Sequence, residues 1–282
     1  MLLALLPLLL QADAEPPPPP LVTYAVVEKT SAVTPHGERI SVLKGTVHAS
    51  AEKARWSLEG GTLPRTTASV VLAGRDGLTL LDTVDALAAG LSKDELDGLF
   101  RGSATGDPGM ATFTVRDLAA SVTREGKGTS FQGMETVRYR LSLTWTLQTM
   151  TTGRISKTRN EVKGVIETLD GWAEARTPFD ELSRLFRVRG DVLDTLKPEL
   201  AKVTGLPVNV SLGATAELYA EPLGGGGAPD EKPLKTTTTI TRKLSDLTRR
   251  PTAKTDLPLF AVPAGFKTRG LERLLAGPPP LS

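Results

Sequence analysis

The sequence predicts an α+β protein: a curved, mostly antiparallel β-sheet with a broken helix packed on one of its faces. Three observations carry this. The first is the stretch 137–148, VRYRLSLTWTLQ. Its odd positions are Val137, Tyr139, Leu141, Leu143, Trp145 and Leu147, and its even positions are Arg138, Arg140, Ser142, Thr144, Thr146 and Gln148. Strand side chains point to alternate faces, so this is a strand with one dry and one wet face. At about 3.3 Å per residue it spans about 40 Å, a length that requires twist and curl. The second is a series of shorter β-type runs joined by tight polar turns, which makes an antiparallel meander. The third is an apolar pattern at three-and-four spacing after Thr177, the mark of one helix face.

The elements follow in order. Residues 21–30 and 39–50 are strands flanking the polar break Pro35-His36-Gly37-Glu38. Residues 53–58 alternate, with Ala54, Trp56 and Leu58 on one side, and Gly60-Gly61 marks a turn. Strands at 69–73 and 78–82 flank Gly74-Arg75-Asp76-Gly77, a hairpin signal. Over 83–100 the period changes. Ser92 with Glu95 three residues on forms a capping box, which predicts a short helix, and the acidic cluster Asp94, Glu95, Asp97 suits its first turn. Residues 111–123 return to strand. The polar run 155–169 pairs with 137–148 through Thr151-Thr152-Gly153, and its charges suit a place near a sheet edge.

Thr177-Pro178 supplies a cap and a first-turn proline, followed by Phe179, Leu182, Leu185, Phe186, Leu193, Leu196, Leu200 and Val203 on one face. Gly190 and Pro198 break this helix into pieces, and Gly205 ends it. Strands at 208–220 and 234–247 complete a second long hairpin around the glycine-rich 224–227. The latter lacks the GK[ST] ending of a phosphate loop. A last short helix is predicted at 271–276.

Residues 1–14, MLLALLPLLLQADA, have the apolar run and the small-x-small site Ala12-Asp13-Ala14 of a signal peptide, without a basic residue ahead of the run. The run is too short to span a bilayer. Five prolines at 16–20 form a stiff spacer. A single domain is expected over 21–276, with a loose tail at 277–282.

Composition excludes several chemistries. The chain has 282 residues, 34 Lys and Arg against 32 Asp and Glu, two His and no Cys. The near-neutral charge argues against a nucleic-acid partner. The absence of Cys removes disulfides, thiolate metal sites, a Cys nucleophile and a lipid-acceptor Cys. No hydrolase, zincin or dinucleotide fingerprint is present, so no catalytic residue, metal ligand or cofactor is assigned and the chain is expected not to be an enzyme. His36 falls in a turn and His48 in a strand. Residues 232–273 hold ten Lys or Arg and three acids. That excess could meet an anionic membrane surface, or form a solvated face.

The order of parts resembles the LolA/LppX-type fold of outer-membrane lipoprotein carriers, and the secreted bacterial proteins of unknown function that share it. The residues carrying the resemblance are Gly205-Leu206-Pro207-Val208, Leu244-Ser245-Asp246-Leu247 and Leu259-Phe260-Ala261-Val262-Pro263-Ala264-Gly265-Phe266. They cover the last third of the chain and are short. The resemblance implies a half-barrel with helices on its concave face, and a concave face that takes lipid or acyl chains. With the signal-like residues 1–14 and no Cys, the expectation is an exported periplasmic or envelope protein, soluble after signal cleavage and without a lipid anchor. The lining expected here is Tyr139, Leu141, Leu143 and Trp145 with Phe179, Leu182 and Phe186. A structural or interaction module of the envelope with a filled core is the alternative, and a carboxylate-dependent hydrolase is the third.

Overall fold

A computed structural model of the chain describes residues 19–50, 53–63, 66–74, 77–92, 111–151, 154–172, 175–186, 188, 190–222 and 233–274. The expectations for the signal peptide, most of the proline spacer, the acidic cluster at 94–97, the loop 224–227 and the tail lie outside these residues.

The described strands form one open, curved sheet of twelve. They are β1 (Pro20–Thr34), β2 (Gly37–Ser50), β3 (Lys53–Leu58), β4 (Val70–Gly74), β5 (Gly77–Asp82), β6 (Leu87–Ser92), β7 (Ala111–Lys127), β8 (Val137–Thr151), β9 (Arg154–Leu169), β10 (Leu206–Pro222), β11 (Leu234–Pro251) and β12 (Lys267–Thr268). The spatial order is β12-β6-β5-β4-β3-β2-β1-β11-β10-β9-β8-β7. Two meanders, β1–β6 and β7–β11, are thus joined where β1 pairs with β11, from Pro20 opposite Pro251 to Val33 opposite Thr237. Every pairing is antiparallel except that of β12 with β6.

The predicted hairpin of β8 and β9 forms in continuous register, Val137 opposite Thr168 and Thr151 opposite Arg154. Its place differs from the expectation. β9 lies inside the sheet between β8 and β10, and β7 is the edge. Arg159, Glu161 and Lys163 are outward because they share the wet face with the even residues of β8, not because the strand is at a border.

Within 83–100 the described residues 83–92 make a turn and then strand β6, because Leu87, Ala89 and Leu91 pair with β5 and Ala89 and Leu91 join the core. The short helix expected from the Ser92–Glu95 capping box falls on residues outside those described. The 177–203 region is two 3-10 turns, Pro178–Asp180 and Leu182–Leu185, followed by helix α1 (Gly190–Leu200). Gly190 does start a new piece, but Pro198 stays within α1. Pro198 and Asp194, whose carbonyl it leaves unpaired, are both exposed, so water satisfies that group. Of the predicted 271–276 helix the described residues 271–274 form one 3-10 turn, Leu271–Arg273, held by the buried Leu274.

The sheet borders are closed by specific devices. β7 carries two register shifts, with Asp117 at φ 52° and Gly126 at φ 106° in the left-handed region that such bulges need. α1 leans on this edge, and the Val122 N–H donates to Glu199 Oε2 at 2.8 Å. At the other border the N–H groups of Lys267 and Arg269 donate to the carbonyls of Ala86 and Ala88.

Gly164 lies between Leu141 and Leu212 in adjacent strands. A Cβ there would run into the Leu212 side chain and sit 2.6 Å from Ser211 O, which is backbone and cannot yield. Gly164→Ala is therefore expected to destabilise the fold by about 1–3 kcal/mol, the usual overpacking cost. Urea unfolding at unchanged m-value checks it.

Candidate functional site

Directly opposed residues in an antiparallel sheet share a face, so the registers define what lies on the dry side. Across β8, β9 and β10 the successive rows are Tyr139–Ile166–Val210, Leu141–Gly164–Leu212, Leu143–Val162–Ala214, Trp145–Asn160–Ala216 and Leu147–Thr158–Leu218. Val192, Leu196 and Leu200, four residues apart on α1, pack into this face together with Leu182, Leu185, Phe186 and Val203. Leu141 and Leu143 are 0% exposed. The Tyr139 hydroxyl bonds Thr204 Oγ1 at 3.0 Å.

Five of the seven expected lining residues, Tyr139, Leu141, Leu143, Leu182 and Phe186, thus belong to one packed cluster. Phe179 is buried in the neighbouring cluster, its ring 5.7 Å from Trp56. Trp145 stands at the border of the covered region, half-buried against it. These side chains touch the helical cover directly. A pocket of about 310 Å³ opens instead at the outer end of α1, between Arg176, Glu181, Leu182, Lys197, Leu200 and Ala201. Leu182 alone of the expected seven borders it, and its rim is charged.

Past Trp145 the same face keeps large apolar side chains beside Asn160 and Thr158, and no helix among the described residues covers it. Val115, Leu147 and Ala216 are half-buried, Leu218 is 37% exposed, and Leu234, opposite Leu218, is 59% exposed. This extension was legible only in part: Leu147 was placed on a dry face, but nothing in the sequence showed how far the helix would reach.

The polar face carries structural carboxylates. Burial opposes ionisation of Glu167, but Asn209, the Thr129 amide and the Thr129 hydroxyl all donate to it and hold its carboxyl below the ordinary range. Asp256 accepts both Arg250 guanidinium nitrogens at 2.7 Å and the Ala253 N–H at 2.7 Å, which anchors the 3-10 turn Lys254–Phe260. His36 is exposed in its turn, whereas the ring of His48 meets Thr23 Oγ1 at 3.1 Å. Burial, then Arg55 and Arg250, push that imidazole below its usual pKa. Among the described residues no three His, Asp or Glu side chains are grouped closely enough to hold a metal ion.

The basic residues described within 233–273 are spread rather than gathered. Lys235 pairs with Glu217 at 3.3 Å, Arg242 is buried with its Nη1 donating to the Phe179 carbonyl, and Arg249 lies over the Trp172 ring. Arg250 is engaged by Asp256, and Lys267 stands at the far border in β12. No described helix is long and apolar enough to cross a membrane.

No family model matches the chain, and no curated protein does. Seven solved chains match. One is a crystal structure of a domain assigned as an outer membrane lipoprotein-sorting protein from Vibrio parahaemolyticus. It is 10% identical, with 83% of this chain and 88% of that chain covered, at a TM-score of 0.25. A match at that level establishes neither a shared fold nor a shared activity.

Arg250, with help from the Ala253 N–H, lowers the Asp256 carboxyl from 3.8 to about 2. A carboxyl depressed on folding adds stability that is complete above the unfolded value and lost as pH falls through the folded one. The melting temperature is expected to drop between about pH 4 and pH 2, and Asp256→Asn to flatten that dependence and lower stability at neutral pH. Thermal melts of both proteins across the range check it.

Proposed function

We propose that this is an exported, non-catalytic envelope protein that lays an extended apolar ligand, the acyl chain of a lipid, along the uncovered part of its dry sheet face. In this reading that face is concave, α1 and the 3-10 turns fill its inner part, and the chain lies beyond them against Trp145, Leu147, Val115, Leu218 and Leu234. The observation that carries it is the continuation of the core face past its helical cover, with large apolar side chains still accessible. The original lining is thereby shifted: Tyr139, Leu141, Leu143, Phe179, Leu182 and Phe186 support the site from beneath, and Trp145 is the member in direct reach. The signal-like N-terminus supports export.

A second reading, an envelope interaction module with a filled core, is favoured by the complete burial of Leu141 and Leu143 under α1. In that case protein rather than lipid covers the distal row.

Native mass spectrometry of protein purified from cells, with titration of a fluorescent fatty acid, separates the two. Lipid should co-purify, and Leu147→Asp should weaken fatty-acid binding at least tenfold, about 1.4 kcal/mol, with little change in melting temperature. Leu141→Ala, by contrast, should cost about 2–5 kcal/mol of stability. No co-purifying lipid together with no uptake of the probe would contradict lipid binding and leave the module.

A further inference from the structure

β2 is paired on both sides only over its second half. β3 meets it from Gly45, opposite Leu58, to Ser50, opposite Lys53. The first half is bound to β1 alone, in unbroken register from Thr34 opposite Gly37. Residues 37–42 are all exposed, with Ile40 at 56% and Val42 at 46%. The Lys44 carbonyl accepts from the Glu59 N–H on the side away from β1. Alternate residues of an antiparallel strand point their N–H and C=O the same way, so those of Glu38, Ile40 and Val42 also point outward, along a stretch that no described strand pairs.

This border is unlike the others. The β7 edge is bent by two bulges and met by Glu199, and the β6 edge is bound by 267–269. The β2 stretch keeps unbroken register with β1, has no bulge or proline, and shares with β1 a face on which Val27, Val33, Ile40 and Val42 are exposed. An edge of that kind is a template for another strand.

We propose that the occupant is a second copy of this chain, the two 37–43 stretches pairing antiparallel about a two-fold axis at Ile40. The charges choose this partner and direction. Glu38 stands at the tip end and Lys44 at the root. Glu38 Oε1 accepts from Ser31 Oγ at 2.7 Å, which keeps the carboxylate over the wet face. Antiparallel pairing sets Ile40 against the second copy's Ile40, and Glu38 beside its Val42 and diagonal to its Lys44. The unlike pair then forms twice. Parallel pairing would set Glu38 on Glu38 and Lys44 on Lys44. Seven residues a side fill the free stretch up to Glu59, so the result is a sheet continuous across both copies.

Sedimentation velocity of the full chain up to about 200 µM tests this. A monomer–dimer equilibrium is expected. Ile40→Pro removes an outward N–H without removing a bond to β1, and should give monomer with an unchanged circular dichroism spectrum. If that variant does not fold, Val42→Lys serves the same purpose. Glu38→Lys should weaken the dimer about tenfold, and Glu38→Lys with Lys44→Glu should restore it. A monomer at all concentrations, or a dimer that Ile40→Pro and Val42→Lys leave intact, overturns the proposal. A dimer that these remove but the charge exchange does not restore overturns the two-fold antiparallel arrangement.

Discussion

The pairing of the first long strand with the last, β1 with β11, makes one sheet of two meanders, and everything else in the molecule depends on it. Each meander alone would end in an open strand with a dry face. Their union sets Val26 beside Leu244 and brings Trp56, in the first meander, against Phe179, in the second. The register slips once, between Thr23 and Ala25, where the fully buried Tyr24 faces the extra residues around Asp246, at φ 52°. Such a contact joins residues over 200 apart in the chain. Closing so long a loop carries a larger entropy cost than any of the local hairpins.

The dry face that results is longer than its cover. The helical cover packs on Leu141 and Leu143, whereas β8 continues to Thr151 and its row partners continue to Leu218 and Leu234. This mismatch divides the face into a packed inner half, around Leu141 and Leu143, and an accessible outer half, from Trp145 to Leu234. The first half sustains the fold, and the second is where the proposed ligand would lie. The same extension of the long strands past the packed body leaves the β2 stretch 37–43 unpaired by any described strand, so accessible face and open edge have one geometric cause.

The alternation in 137–148, the β8–β9 hairpin, the long β10–β11 hairpin and the break at Gly190 were all legible, because each depends on local periodicity or on one backbone preference. Residues 87–92 were misread because LAAGLS has no clean period, and only pairing with β5 makes it a strand. The helix was read too long because Phe179, Leu182 and Phe186 keep apolar spacing through turns that are 3-10 rather than α. Register is where sequence reading stopped: Glu167 with Asn209, Glu199 with Val122, and the buried Arg242 all arise from cross-strand or helix–edge adjacency. For the same reason Arg242 read as one charge in a basic run, although it faces inward and holds the Phe179 turn.

The division of the dry face is the central claim, and tryptophan fluorescence addresses it directly. Trp56 is buried in the packed core and Trp145 stands at the start of the accessible half. A brominated fatty acid quenches indoles it touches, so in variants retaining Trp145 or Trp56 as the one tryptophan, saturable quenching is expected for Trp145 and none for Trp56. Quenching of Trp56, or of neither, would contradict the account.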